Sequence, residues 1–225
     1  RAILILAIVV LVAGAAVGGA AFWGYRQFTA QGPSATDTQL VIPRGIGTSA
    51  IAEQLAEAGD LADPLIFKAG VRVFSEGRPL RAGEYLFPAR ASARDVMDLL
   101  ISGRTVVRKV TISEGLTSRE VLAVLAAAEG LDGEVPAEPP AEGTLLPETY
   151  HYSWGDDRAA IVARMEEAMR ATVEELWAGR AEGLPLKTPE EAVILASIVE
   201  KETGVDAERP RVAAGFLNRL QRGMP

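Results

Sequence analysis

The chain contains no cysteine, which excludes disulfides, thiolate metal sites and a cysteine nucleophile anywhere in its 225 residues. It has a single histidine, His151, so a His-rich metal cluster is impossible and a Ser-His-Asp triad would have to be built on that one ring. No metal and no cofactor are expected. Aromatic residues make up only 6% of the chain, the formal net charge is -7, and no basic stripe interleaved with aromatics occurs. That argues against nucleic acid as a partner. No internal repeat is visible, and the length leaves room for one or two small domains with modest cores. The lack of cysteine also suits an exported protein.

What is present begins with a run of 22 residues, Ala2 to Trp23, that carries no charge. A helix of ~20 apolar residues spans a bilayer core. Trp23 and Tyr25 then fall where aromatic rings favour the headgroup level, and Arg26 follows. A signal peptide has a shorter apolar core, roughly 7–15 residues, and ends in a small-residue cleavage site. The longer run with its aromatic end predicts an uncleaved anchor over residues 1–26.

A linker is expected over 27–37, where Thr29 to Asp37 is rich in Gln, Gly, Pro, Ser and Thr. A compact module follows over 38–103. Leu40-Val41-Ile42 reads as a strand ended by Pro43, and Thr48 or Ser49 as the cap of a helix carrying Ile51 and Leu55. A second helix starts after Asp63-Pro64, Gly83 to Phe87 returns as a strand, and Ser92 with Asp95 opens a third helix as a capping box. Two short strands with helices on one side make a small α+β unit. A second α+β domain is expected over 104–225. It holds a strand from Val106 to Ile112, a capping box at Thr117 and Glu120, an alternating segment from Thr144 to Tyr152, and a long amphipathic helix from Asp157 to Ala178. The stripe Ile161, Met165, Met169, Val173 and Trp177 on that helix reads as core.

The most informative stretch is ASIVEKET, Ala196 to Thr203. Thr188 is a good N-cap, Pro189 fits the first helical position, and Glu190 and Glu191 suit the positive helix end. Ala192, Leu195, Ile198 and Val199 form an apolar stripe at helical spacing. At 100° per residue, Glu202 falls about 50° from the stripe's centre and Glu200 about 105° away. Glu202 is therefore expected to be carried into the domain, with Glu200 at the margin, supporting neighbours or pairing with a basic residue. A desolvated carboxyl holds its proton to higher pH, which makes the buried one a candidate general acid. The ordinary alternative is a solvated Glu-Lys-Glu cluster at a helix end.

ASIVEKETG, Glu208-Arg209, Val212-Ala213 and the run FLNRLQRGMP together resemble the endolytic murein transglycosylase family, membrane-anchored bacterial enzymes that cut peptidoglycan glycan strands. EGTLLPETYHY, Glu142 to Tyr152, resembles that family's other signature, although Leu146 stands where an aromatic usually precedes the Pro. The matches occur in the right order along the whole chain. The resemblance implies an N-terminal transmembrane helix, a LysM-like module and a lytic transglycosylase domain, with the bulk of the chain outside the cytoplasmic membrane. The domain is expected to be truncated after Gly223-Met224, with Val212, Phe216 and Leu220 partly uncovered and the fragment itself poorly active.

For the site, the resemblance implies that Glu202 is the catalytic acid. Around it, Glu200, Glu142, Glu148 and Tyr150 are expected in supporting or substrate-binding roles. Tyr150 and Tyr152 have the equal alternative of packing one strand face. Asn218 can bond an acetamido group, and Arg219 can meet a carboxylate of the substrate or fix a helix end. The implied partners are peptidoglycan glycan strands, the membrane and the penicillin-binding proteins of wall synthesis. In the module, sugar stacking would draw on Phe67, Phe74, Tyr85 or Phe87; the alternative is a spacer. A membrane-anchored scaffold with no catalysis is the rival from a different class.

Overall fold

A computed structural model describes residues 2–224. The chain divides into two compact units at Val106 and Val107, both of mixed helix and strand.

Unit 1 opens with α1, Ala2–Thr29. Among the described residues it is the one helix long and apolar enough to cross a membrane, over Ile3–Thr29. Strand β1 (Thr38–Ile42) pairs antiparallel with β2 (Gly83–Phe87), Leu40 opposite Tyr85. Helices α2 (Thr48–Glu57), α3 (Pro64–Phe74) and α4 (Ala93–Ser102) complete the unit. The local chemistry explains the boundaries. Asp63 accepts from the Leu65 amide at 2.8 Å ahead of Pro64, and Ser92 with Asp95 forms the expected capping box. The cap of α2 differs from expectation: Gly47 occupies it without a side-chain bond, and Thr48 is already helical.

The core of unit 1 is built on Phe67, Tyr85, Phe87, Leu55, Met97 and Leu100, all essentially inaccessible. Of the four aromatics weighed for sugar stacking, Phe74 alone keeps partial exposure. Phe67, Tyr85 and Phe87 are spent on packing, and Phe74 stacks on Phe28 with ring centroids 5.5 Å apart. Phe28, from the last turn of α1, is itself 1% exposed and belongs to this core. The segment beyond it is fastened down. The Gly32 amide donates to the Arg90 carbonyl (3.1 Å), the Arg90 amide to the Ser34 carbonyl (2.8 Å), and the Ala89 amide to an Asp37 carboxylate oxygen (2.8 Å). Gly32 is required there, because a Cβ would run into the Ala91 carbonyl.

Asp60 is buried in unit 1 at 4% exposure, and its Oδ2 has no hydrogen-bond partner. Burial pushes its carboxyl above the usual range, against a smaller opposing effect of the Thr38 hydroxyl. A raised folded-state pKa means stabilisation that is complete below the ordinary carboxylate range and lost as pH rises through the raised value. Asp60→Asn should therefore stabilise the protein near neutral pH by ~1 kcal/mol, the scale of an unmet buried acceptor. The gain should shrink on mild acidification. Thermal melts of both forms at the two pH values check it; a constant difference, or a loss at neutral pH, contradicts it.

In unit 2, β3 (Val107–Thr111) pairs antiparallel with β5 (Thr149–Ser153), Val110 opposite Tyr150. Two-residue strands β4 (Leu131–Asp132) and β6 (Asp156–Asp157) run parallel. Helix α5 (Ser118–Ala127) starts at the expected Thr117–Glu120 capping box. Arg158, the first residue of α6 (Arg158–Ala178), donates to the Leu125, Ala128 and Gly133 carbonyls at 2.9, 3.2 and 2.8 Å. It thereby satisfies acceptors left open at the end of α5. The alternating segment is strand only from Thr149; before it, the chain turns through Gly143, and the Leu146 amide donates to the Met165 carbonyl at 3.2 Å. The α6 stripe is core only in its first half. Ile161 and Met165 are buried, but Met169, Val173 and Trp177 are half-exposed. Helices α7 (Pro189–Glu202) and α8 (Arg209–Gln221) follow, joined by a short 3-10 turn at Asp206–Glu208. No residue of α8 is buried; Val212 and Phe216 are half-buried and Leu220 is 54% exposed.

Candidate active site

Helix α7 begins as its sequence dictates, with the Thr188 hydroxyl accepting from the Glu191 amide and Pro189 in the first turn. Its packed side follows the Leu195–Val199 seam on which the apolar pattern centres, but extends to Thr203 and not to Ile198. Val199 and Thr203 are buried, Leu195 and Glu200 half-buried, whereas Ile194 and Ile198 are 59% and 38% exposed. Glu202 is exposed as well. The expected burial of Glu202 is thus corrected: Glu200, not Glu202, turns toward its neighbours. The physical reason lies in those neighbours. Helix α8 supplies Arg209, whose Nη2 meets Glu200 Oε2 at 2.9 Å, and its Nη1 meets Asp206 at 3.1 Å. Val193 presses on the Gly143 turn so closely that a Cβ there would lie 2.8 Å from Val193 Cγ1.

The three residues of the Glu-Lys-Glu run therefore have separate environments. Glu200 is paired with Arg209. Lys201 lies over the Gly115 turn before α5, where a Cβ would stand 3.3 Å from its Nζ. Its charge also helps hold the Glu120 carboxyl below the usual range, after the larger effect of the Thr117 amide and hydroxyl. Glu202 stands at the free end of the stripe formed with Ile194 and Ile198, four residues apart each time, and among the described residues its carboxylate has no hydrogen bond or ion pair. Directly after it, the Thr203 hydroxyl accepts from the Val205 amide (3.1 Å) and donates to Glu208 (3.1 Å), which fixes the exit of the helix.

Of the other expected site residues, Glu142 lines one groove with Glu200, and Glu148, Tyr150, Asn218 and Arg219 lie outside it. Glu142 Oε2 accepts from the Ser118 amide at 3.0 Å, so its carboxylate holds the start of α5. Glu148 accepts from the Thr149 amide at 2.7 Å. Tyr150 is 6% exposed, with its hydroxyl donating to the Leu146 carbonyl (2.8 Å), and Tyr152 is equally buried, donating to the Glu129 carbonyl (2.8 Å). Both rings pack one strand face, and burial raises the Tyr150 phenol's pKa. Asn218 and Arg219 are exposed on α8. An apolar groove of about 740 Å³ runs beside α7; Leu146, Met169, Val173, Trp177 and Val193 line it, with Glu142, Glu200 and Lys201 among its polar residues.

Arg209 is the member of this cluster that sequence reasoning undervalued. The acidic pair Asp206 and Glu208 just ahead of it was the available clue to an ion-pair node. The Glu200–Arg209 pair is partly exposed, so its coupling should be modest, ~0.5–1 kcal/mol. A double-mutant cycle with Glu200→Gln and Arg209→Gln, followed by denaturant unfolding, measures it; zero coupling would show that the pair does not hold the helix end.

No curated protein matches the chain. Among solved structures, a 2.6 Å crystal structure of a yceG-like protein from Listeria monocytogenes aligns at 20% identity and a TM-score of 0.41, covering 85% of this chain and 72% of that one. The model of the YceG-like family matches residues 40–225, which takes in both units and the whole Glu-Lys-Glu helix. The chain belongs to the YceG-like family, that of the endolytic murein transglycosylases.

Proposed function

We propose that this protein is a lytic transglycosylase, held at the cytoplasmic membrane by α1, that cuts peptidoglycan glycan strands within their length, with Glu202 as its single acid and base. The observation that carries the reading is the division of labour in the Glu-Lys-Glu run. Glu200 is engaged by Arg209 and Lys201 covers the Gly115 turn, which leaves Glu202 as the carboxyl free to meet a substrate.

In this scheme the Glu202 carboxyl protonates the glycosidic oxygen as the bond to the muramoyl anomeric carbon breaks, through an oxocarbenium-like transition state. The resulting carboxylate accepts the proton of the muramoyl 6-hydroxyl, whose oxygen bonds the same anomeric carbon and closes a 1,6-anhydro ring. The proton balance is neutral over the cycle, so one carboxyl suffices and no water is consumed. A glycan laid along the Ile194–Ile198 stripe would exclude water from around that carboxyl. Glu200, fixed by Arg209, positions the helix end. Asn218 and Arg219 on α8 supply polar groups for the substrate's acetamido and carboxylate groups.

The first unit, with its aromatics in the core, serves in this reading as a LysM-like spacer that sets the enzyme's distance from the membrane. Penicillin-binding proteins are the proposed neighbours. Digestion of purified sacculi by the full-length protein, with mass spectrometry of the fragments, tests the function. Anhydro-ended products support it. Reducing ends would make the protein a hydrolase, and no cleavage would make it a scaffold.

A further inference from the structure

Helix α3 has three distinct sides. Phe67 and Val71 point into the core of unit 1. Gly70 and Phe74 face α1: a Cβ on Gly70 would run into the Phe28 ring, and Phe74 lies against Tyr25 and Phe28, with centroids 5.9 and 5.5 Å away. The third side carries Leu65, Ala69 and Val73, one turn apart each time, and none of the described residues covers it. Leu65 is 68% and Val73 67% exposed. Lys68 and Arg72 flank that stripe.

The direction of the stripe follows from how α3 meets α1. Trp23 lines a small cavity with Asp63 and Ile66 at the start of α3, while Tyr25, two residues on, meets Phe74 at its end. Two residues of α1 advance only ~3 Å, whereas α3 spans ~16 Å, so α3 crosses α1 steeply. The body of the unit lies toward the later residues of α1, for Gly32 abuts Ala91, and Ala30 to Gly32 share the cavity with Leu61 and Ala93. The side of α3 opposite the core therefore looks back along α1, toward exposed Phe22 and Trp23.

We infer that α3 is an in-plane membrane helix: Leu65, Ala69 and Val73 rest in the headgroup layer of the same bilayer that α1 crosses, with Lys68 and Arg72 reaching lipid phosphates. This rests on the reading of α1 as an anchor. An amphipathic helix with apolar residues on one side and basic residues at its margins binds an interface in this way. It holds the first unit against the membrane at a fixed tilt instead of leaving it to swing on a tether.

The absence of native cysteine makes the test direct. Single variants Leu65→Cys, Val73→Cys, Val10→Cys and Leu86→Cys of the full chain are labelled with an environment-sensitive fluorophore and reconstituted into phosphatidylglycerol-containing vesicles. Quenching is then measured with nitroxide-bearing lipids. Leu86, exposed on the sheet, is the reference. Labels at 65 and 73 should be quenched about threefold or more relative to the label at 86, with a blue shift. If Val10 is quenched while 65 and 73 behave like 86, the inference is overturned and the anchor stands. If Val10 is not quenched either, the anchor reading and this inference both fail.

Discussion

Replacing Glu202 by Gln in the full-length protein should reduce release of anhydromuropeptides by ~10²–10⁴-fold, the usual contribution of general acid–base catalysis. The fold should survive, because the Glu202 side chain makes no bond within the described residues and its surface is exposed. A thermal melt unchanged from the parent would separate lost chemistry from lost structure. Glu200→Gln should behave in the opposite sense: a measurable loss of stability through Arg209, with most activity retained. The amide keeps the shape and one acceptor of each carboxyl, so the comparison isolates proton transfer. Near-normal turnover of Glu202→Gln with a dead Glu200→Gln would transfer the catalytic role to the paired carboxylate.

Phe28→Ala should destabilise unit 1 by ~3–5 kcal/mol, the range for removing a fully buried aromatic ring. Phe28 belongs to the helix that the apolar run predicts as an anchor, yet it is 1% exposed, stacked on Phe74 and seated on Gly70. Truncation empties a site in a core that is otherwise close-packed. It also uncouples the end of α1 from α3. Gly70→Ala should destabilise by itself, since its methyl collides with the ring, and should cost much less when Phe28 is already Ala. That coupling is readable in a double-mutant cycle. Additive effects would mean that the two residues do not share one contact.

Most of the local architecture was legible because it is written in local chemistry. The capping boxes at Ser92–Asp95 and Thr117–Glu120, the Asp63-Pro64 start and the Thr188-Pro189 start all appear as the residues predict. What was not legible depends on partners distant in sequence. The apolar wheel of α7 centred rightly near Leu195 and Val199 but placed Glu202 inward, because Ile198 was counted as core; Ile194 and Ile198 are exposed, and Thr203 is buried instead. Periodicity finds a helix but does not say which neighbour covers which side. The polar composition after Thr29 reads as a short tether; the structure adds that hydrogen bonds to Ala89 and Arg90 fasten it to the unit. Tyr150 and Tyr152 had two readings, and the structure puts both rings into packing.

In the proposed cleavage the substrate's own hydroxyl, not water, attacks the anomeric carbon. Its most direct test is digestion of sacculi by the full-length protein in ¹⁸O-labelled water, with mass spectrometry of the new chain ends. The new ends should be one water lighter than hydrolytic ones, free of ¹⁸O, and absent from the Glu202→Gln digest. New reducing ends carrying ¹⁸O would contradict it.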